Sequence, residues 1–340
     1  MPHISTPRLR QAYRSLGNPA HPAILMVHGN ASSSIFWEEQ MELLANDFYC
    51  IAPDLRGFGD TEDFLIDATR GFGDHAYDLL ELLDALNLQQ VHAIGHSLGG
   101  GVLYTLVGKA PARFKSVTLV NPASPFGFGG TKDVQGSPCF PDFAGSGGGI
   151  VNPDFPKLIA AGDRSADNPQ ASPRMVMNAF YWKSPFTAPR EEALLDGLLS
   201  EKIGEDRYPG DFVASENYPF TAPGRFGPIN ASSPKYLGDS VARFEATSMP
   251  VLWVRGSDDQ IVSDNSFFDL GTLGKLGFIP GYPGEAVYPS QPMVSQTRYV
   301  LERRKGPFTE LVMADTGHSP YIEKPQEFYA HFSAFLKQNA

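Results

Sequence analysis

The chain has 340 residues, 42% hydrophobic and 19% charged, enough to bury a large core in one domain or in a domain with a lid. Its formal net charge of −11 opposes contact with nucleic-acid phosphates and with an anionic membrane surface, so neither is an expected partner. Two distant cysteines, Cys50 and Cys139, offer neither a disulfide framework nor metal-ligand spacing, and no metal is expected.

Residues 1–11 are polar, contain two prolines and lack the apolar core of a secretion signal. No stretch approaches the roughly 20 apolar residues of a membrane span. The expectation is a cytoplasmic protein whose oligomeric state the sequence leaves open. Four short apolar runs follow: Ala23–His28, Phe48–Asp54, Val91–His96 and Lys115–Asn121. Their length and Val/Ile content predict buried parallel strands, and Cys50, inside the second, reads as a small buried hydrophobe. Helical patterns over Ile35–Asn46, His75–Leu88 and Leu98–Gly108 separate them, and in the second Ala76, Leu79, Leu80, Leu83 and Leu86 share a face. Strand alternating with helix predicts an α/β fold on a mostly parallel sheet.

The alternation stops at Pro125. Residues 126–149 are dense in glycine, and no strand is convincing before about Glu245. Prolines in Asn152-Pro153, Ser172-Pro173, Ala188-Pro189 and Ser233-Pro234 stand where helices begin, three of them after an N-cap residue type. Residues 125–245 therefore read as a cap of roughly four short helices. It interrupts a core of residues 1–124 and 246–340. Strands resume at Met249–Arg255 and Phe308–Met313, and the last helix starts at Pro325.

Chemistry concentrates at the ends of these predicted strands. Gly95-His96-Ser97-Leu98-Gly99 joins a strand to a helix, the setting in which a tight turn lifts a serine hydroxyl above the sheet edge. The Leu98 amide opens the helix and is a candidate donor to an oxyanion; the second is the amide of Asn30, after the turn His28-Gly29. His28 reads as a buried loop anchor. Of the eight histidines, His318 alone follows a strand in a turn-rich loop, Asp315-Thr316-Gly317-His318-Ser319-Pro320, suited to a general base. The acid that orients it is expected between serine and histidine in chain order. Asp259, in Gly256-Ser257-Asp258-Asp259-Gln260-Ile261-Val262, is favoured over Asp258, which reads as a solvated or turn-capping carboxylate.

Together, HGN at 28–30, PDLRGFGDT at 53–61, GHSLGG at 95–100, GSDDQIV at 256–262 and DTGHSPYIEKP at 315–325 resemble the α/β-hydrolase superfamily, above all its esterase, lactonase and dehalogenase-like members. The resemblance covers most of 8–124 and 246–340. It implies an α/β-hydrolase fold, the triad Ser97, Asp259 and His318, oxyanion donors Asn30 and Leu98, and an acyl-enzyme that needs no cofactor. HGNASSSIFW at 28–37 is similar to haloalkane dehalogenases, but Ser97-Leu98 stands where those enzymes carry aspartate and usually tryptophan. That departure argues against both dehalogenation and epoxide opening. The implied reaction is hydrolysis of a small carboxylic ester, apolar or aromatic, with lactone opening close behind. Carbon–carbon bond hydrolysis, and a receptor on the same fold with an idle triad, rank lower. Trp37, Phe126 and Trp182 are candidate substrate contacts, with packing an equal reading for Trp37. Asp259 and His318 stand 59 positions apart, longer than the resemblance implies. The excess matches the Gly- and Pro-rich stretch 271–292, expected to join the cap at the substrate entrance.

Overall fold

The computed structural model describes residues 1–340. Numbered along the central sheet, β1 is His3–Ser5, β2 Arg10–Leu16, β3 Ala23–Val27, β4 Tyr49–Pro53, β5 Val91–His96, β6 Phe114–Val120, β7 Val251–Gly256 and β8 Phe308–Met313. They lie in the order β1-β2-β4-β3-β5-β6-β7-β8. From β4 to β8 every pair is parallel; β2 runs antiparallel to both β1 and β4. All six strands expected from apolar runs are present. The N-terminal pair β1–β2 was not expected.

Alternate residues of the inner strands feed two apolar layers. Leu25, Val27 and Ile51 face one, and Ile24, Met26, Cys50 and Ala52 face the other. Burial on both faces is why these strands read as unbroken apolar runs. Helices α2 (Gly73–Ala85) and α3 (Leu98–Lys109) cover the first layer; α1 (Glu38–Leu44) and the C-terminal helix (Pro325–Gln338) cover the second. Cys50 is fully buried, and that burial pushes its thiol up to about 12, so it behaves as a hydrophobe.

The stretch between β6 and β7 holds α4 (Asp154–Ala160), α5 (Pro173–Phe180), α6 (Glu191–Leu199), α7 (Pro228–Ala231) and α8 (Ser240–Glu245). Pro173 and Pro228 occupy first helical turns, where the missing N–H leaves no bond unmade. Pro234 opens only a 3-10 turn, capped by Ser233. Short strand pairs, Phe212–Ala214 with Thr221–Pro223 and Ile203–Gly204 with Tyr208–Pro209, correct the expectation of a strand-free insertion. Two- and three-residue pairings leave no periodicity to detect. The cap has no separate core: Phe155, Ile159, Met177, Leu195 and Leu198 join the layer that also contains Met41 and Phe332. Its last helix, α8, packs on α3, with Phe244 edge-on to Tyr104 at 4.9 Å.

Residues 271–292 overlap α9 (Leu270–Lys275) and then turn back on the glycine-rich part of the cap. Tyr288 is fully buried, packs edge-on against Tyr218 at 5.0 Å and donates to the Gly145 carbonyl at 3.2 Å. This segment and the cap thus share a third, small apolar cluster built on Tyr218, Leu270 and Tyr288. No helix is long and apolar enough to cross a membrane, and no group of three or more His, Cys, Asp or Glu is placed to hold a metal.

One ion pair sits inside the core. Asp78 of α2 is fully buried and takes two bonds from Arg56, at 2.7 and 2.8 Å, and one from Arg8 at 2.6 Å. Removing the carboxylate strands the buried Arg56 guanidinium, a loss of about 3–5 kcal/mol. Asp78→Ala is expected to lower unfolding stability by that amount in a denaturant titration; a loss below about 1 kcal/mol would contradict the assignment.

Candidate active site

The connections from β3 and from β5 leave the sheet in opposite directions, since β4 lies on one side of the pair and β6 on the other. An open α/β sheet forms its crevice at such a divergence, beyond the carboxyl ends of the strands. The Gly29-Asn30 turn and the Ser97-Leu98 turn meet there. Their approach is set by glycine. A Cβ on Gly99 would stand 2.4 Å from the Val27 carbonyl oxygen, one on Gly95 2.6 Å from that of Gly99, and one on Gly29 3.1 Å from Ser97 Cβ. Ser97 itself sits at φ 54°, ψ −120°, strained backbone for a residue with a side chain, and is half-buried. Leu98 is the first residue of α3, so its amide is one of the helix's unpaired N-terminal donors, where the dipole favours negative charge.

The imidazole of His318 follows β8 and is 3% exposed. Its Nδ1 lies 2.8 Å from Asp259 Oδ2. The carboxylate accepts, so the proton is on Nδ1 and Nε2 keeps its lone pair. Asp259 is fixed in turn, because its Oδ1 accepts from the amides of Ile261 at 2.8 Å and Val262 at 3.1 Å. Asp258 points elsewhere, toward Ser257 and Lys183. Of the two aspartates, Asp259 is the one that bonds the imidazole.

Serine and histidine are tied to one turn. The Ser97 amide donates to Val120 and its carbonyl accepts from Ala123, while between them Asn121 Nδ2 donates to the His318 carbonyl at 2.8 Å. Asn121 Oδ1 accepts from Gly256, so one carboxamide joins the ends of β6, β7 and the histidine loop. Ser97 Oγ makes no hydrogen bond to another protein group, and neither does His318 Nε2; catalytic hydrogen bonds are commonly loose before substrate binds.

The other histidines have different work. His28 Nε2 accepts from the Leu55 amide and its Nδ1 donates to the Gly29 carbonyl, which makes it a loop anchor. His96 Nε2 donates to the His318 carbonyl at 2.8 Å, and its Nδ1 accepts from Tyr321. Burial, with His318 beside it, holds His96 well below the usual histidine range, so it stays neutral. His92 bonds Ser116, and burial lowers it to about 4.

Trp37 is fully buried and stacks on Tyr321 at 4.4 Å, inside the column that backs His96. Trp182 is 1% exposed and packs edge-on against Phe186, with its backbone against Gly317. Both rings lie in the apolar layer, and neither indole N–H has a protein partner. The half-buried Phe126 lies between Gly136 and Tyr299.

Three residues here escaped the sequence reading: Asn121, Tyr321 and Glu323. The first is a polar residue ending an apolar strand, and the other two lie in the histidine motif itself. Glu323 accepts from the amides of Gly317 at 2.7 Å and of Lys183 in the cap at 2.9 Å. It thereby clamps the histidine loop to the cap. Burial, and more weakly Asp259, push its carboxyl up to about 7.

Comparison with known proteins agrees with this architecture. Residues 22–267 match the alpha/beta hydrolase fold family, and the chain belongs to it. Over 100 residues it is 34% identical to a putative carbamate hydrolase, RutD, of Agrobacterium fabrum, a match covering 29% of this chain and 38% of that protein. The chain spans about a third of the length of the curated relatives it matches. Among solved structures, the esterase RhEst1 from Rhodococcus sp. ECU1013 is similar with a TM-score of 0.60 at 20% identity, covering 99% of this chain and 98% of that one. The enol-lactonase from Burkholderia xenovorans LB400 is similar with a TM-score of 0.59 at 17% identity, over 99% of this chain and 100% of that one. At such identities these two show the fold alone.

The raised Glu323 carboxyl makes a testable link to stability. Its folded value lies above the ordinary 4.5, so its contribution is complete below 4.5 and is lost as pH rises through about 7. Glu323→Gln is expected to flatten the fall in thermal stability between about pH 5 and 8. An unchanged slope would assign that titration elsewhere.

Proposed function

We propose that the protein is a serine hydrolase that cleaves a small carboxylic ester through an acyl-enzyme. The observation that carries the reading is the buried Asp259–His318 pair. It fixes the tautomer that leaves Nε2 a base, at the edge where Ser97 sits on a strained turn. His318 Nε2 takes the proton of Ser97 Oγ as that oxygen bonds the substrate carbonyl carbon. The amides of Leu98 and Asn30 hold the oxygen that becomes negative. The tetrahedral adduct collapses, the ester C–O bond breaks, and the leaving alkoxide takes the proton from His318. Water, deprotonated by His318, then attacks the acyl carbon; Ser97 leaves and recovers its proton from the imidazolium.

An ester is favoured over an epoxide or alkyl halide because Ser97 supplies a hydroxyl where those reactions, in this family, need a carboxylate. A lactone is an ester closed on itself and would follow the same steps.

Turnover of p-nitrophenyl butyrate is expected to vanish in Ser97→Ala and to fall by about 10⁴-fold in Asp259→Asn, where the wrong histidine tautomer is favoured. A fluorophosphonate should label the wild type and spare Ser97→Ala. Full turnover in Ser97→Ala, with no labelling of the wild type, would remove the serine mechanism. Initial rates on γ- and δ-lactones against linear esters of equal carbon number would rank the two substrate classes.

A further inference from the structure

The cap places a carboxyl with no counterion beside the loop that carries Asn30. Glu201 follows α6 and is 4% exposed. Both of its oxygens are buried and lack a donor at hydrogen-bonding geometry, and so is Asn30 Oδ1. Three orphaned acceptors in one neighbourhood call for an explanation, since each such group costs about 1–3 kcal/mol if left unpaired. The groups that face the carboxyl are the Ala31 amide from the core loop and the hydroxyls of Tyr181 and Tyr208 from the cap. No cation is among them.

The loop is one that needs holding. Ala31 has φ 44°, the left-handed region, without glycine's freedom. Its carbonyl accepts from the Tyr181 hydroxyl at 2.9 Å. The Tyr208 hydroxyl faces the Asn30 carboxamide. Helix α6 presses on the next residues, where a Cβ on Gly197 would stand 2.6 Å from Ile35 Cγ2 and 2.8 Å from Ser33 Oγ. The Ala31 peptide units are thus met from the cap on both sides, by Tyr181 at the carbonyl and by Glu201 at the amide.

We propose that Glu201 is a positioning residue for the proposed reaction: its carboxyl, with the Tyr181 hydroxyl, fixes the Asn30–Ala31 peptides from the cap, so that the Asn30 amide is aimed at the carbonyl oxygen above Ser97. This rests on the serine-hydrolase reading. A charge buried without a partner is strongly disfavoured, and burial holds Glu201 well above the usual carboxylate range. In its neutral form the group offers one O–H and one carbonyl oxygen. The O–H matches an orphaned acceptor such as Asn30 Oδ1, and the carbonyl oxygen matches the Ala31 amide. As pH rises through the raised value the donor is lost and a buried charge appears, so the loop loosens and kcat falls on the alkaline side. The stability contributed by the neutral form is complete below the ordinary carboxylate value and is lost over the same rise.

The test uses full-length wild type, Glu201→Ala and Glu201→Gln with p-nitrophenyl acetate from pH 6 to 10. Phenylboronic acid serves as the tetrahedral mimic, and melting temperature is recorded alongside. Glu201→Ala is expected to lower kcat at least tenfold, to change KM less than about threefold, and to weaken the boronate by the same factor as kcat, as loss of oxyanion alignment does. Glu201→Gln, which keeps a donor and an acceptor, should recover most of kcat and lose the alkaline fall that the wild type shows. If Glu201→Ala does not fold, the Gln profile decides: an alkaline fall that persists unchanged overturns the proposal. So does a folded Ala variant with wild-type kcat, or one whose kcat drops while boronate affinity stays the same. Failure of the underlying reading looks different, because Ser97→Ala would then be active and the fluorophosphonate would not label the wild type.

Discussion

The buried hydrogen bond between Asp259 and His318 is the constraint around which the rest is arranged. Each partner alone would be a liability: a carboxylate without water, or an imidazole free to take either tautomer. Paired at 2.8 Å they satisfy one another and leave one nitrogen unprotonated. The two residues come from loops after different strands, so the bond exists only if β7 and β8 are in register and both loops are pinned. Asn121 supplies the pin on the sheet side, Glu323 on the cap side, and the amides of Ile261 and Val262 hold the acid.

Ser97 is brought to this pair by close packing rather than by a direct bond. Gly95 and Gly99 let backbone segments approach within distances that a Cβ would not allow, and Gly29 leaves a tight 3.1 Å to Ser97 Cβ. The strained turn is sustained because β5, and α3 through Val107, are buried on either side and cannot relax. The cap is part of the same solid. Its helices share an apolar layer with α1 and the C-terminal helix, and Tyr181, Trp182 and Lys183 touch the Asn30–Ala31 and histidine loops. Motion of the cap would therefore register at both loops.

Much of this was legible in the sequence, and the reason differs by element. The inner strands announced themselves because burial on both faces leaves unbroken apolar runs. β1 and β2 did not, since one has three residues and the other, Arg10–Leu16, is mostly polar with only Gln11 and Ala12 buried. Ser97 and Asp259 were readable because their turns need particular residues at fixed spacing, and His318 because it follows a strand. The residues that hold them were harder. Asn121 and Tyr321 bond the histidine loop and His96 across about 200 positions, and a single polar residue gives no periodic signal. Trp37 and Trp182 are ambiguous for a related reason: large aromatic rings suit a pocket and a core equally, and in the structure Tyr321 and Phe186 pack against them.

In the proposed reaction the Ser97 oxygen carries the acyl group. The direct measurement is to mix the protein with excess p-nitrophenyl acetate, quench in acid within the first turnovers, and map the acetyl group by peptide mass spectrometry. Acetyl is expected on the peptide containing Ser97 and at that residue. Acetyl found reproducibly on another side chain, with Ser97 unmodified during full turnover, would contradict it.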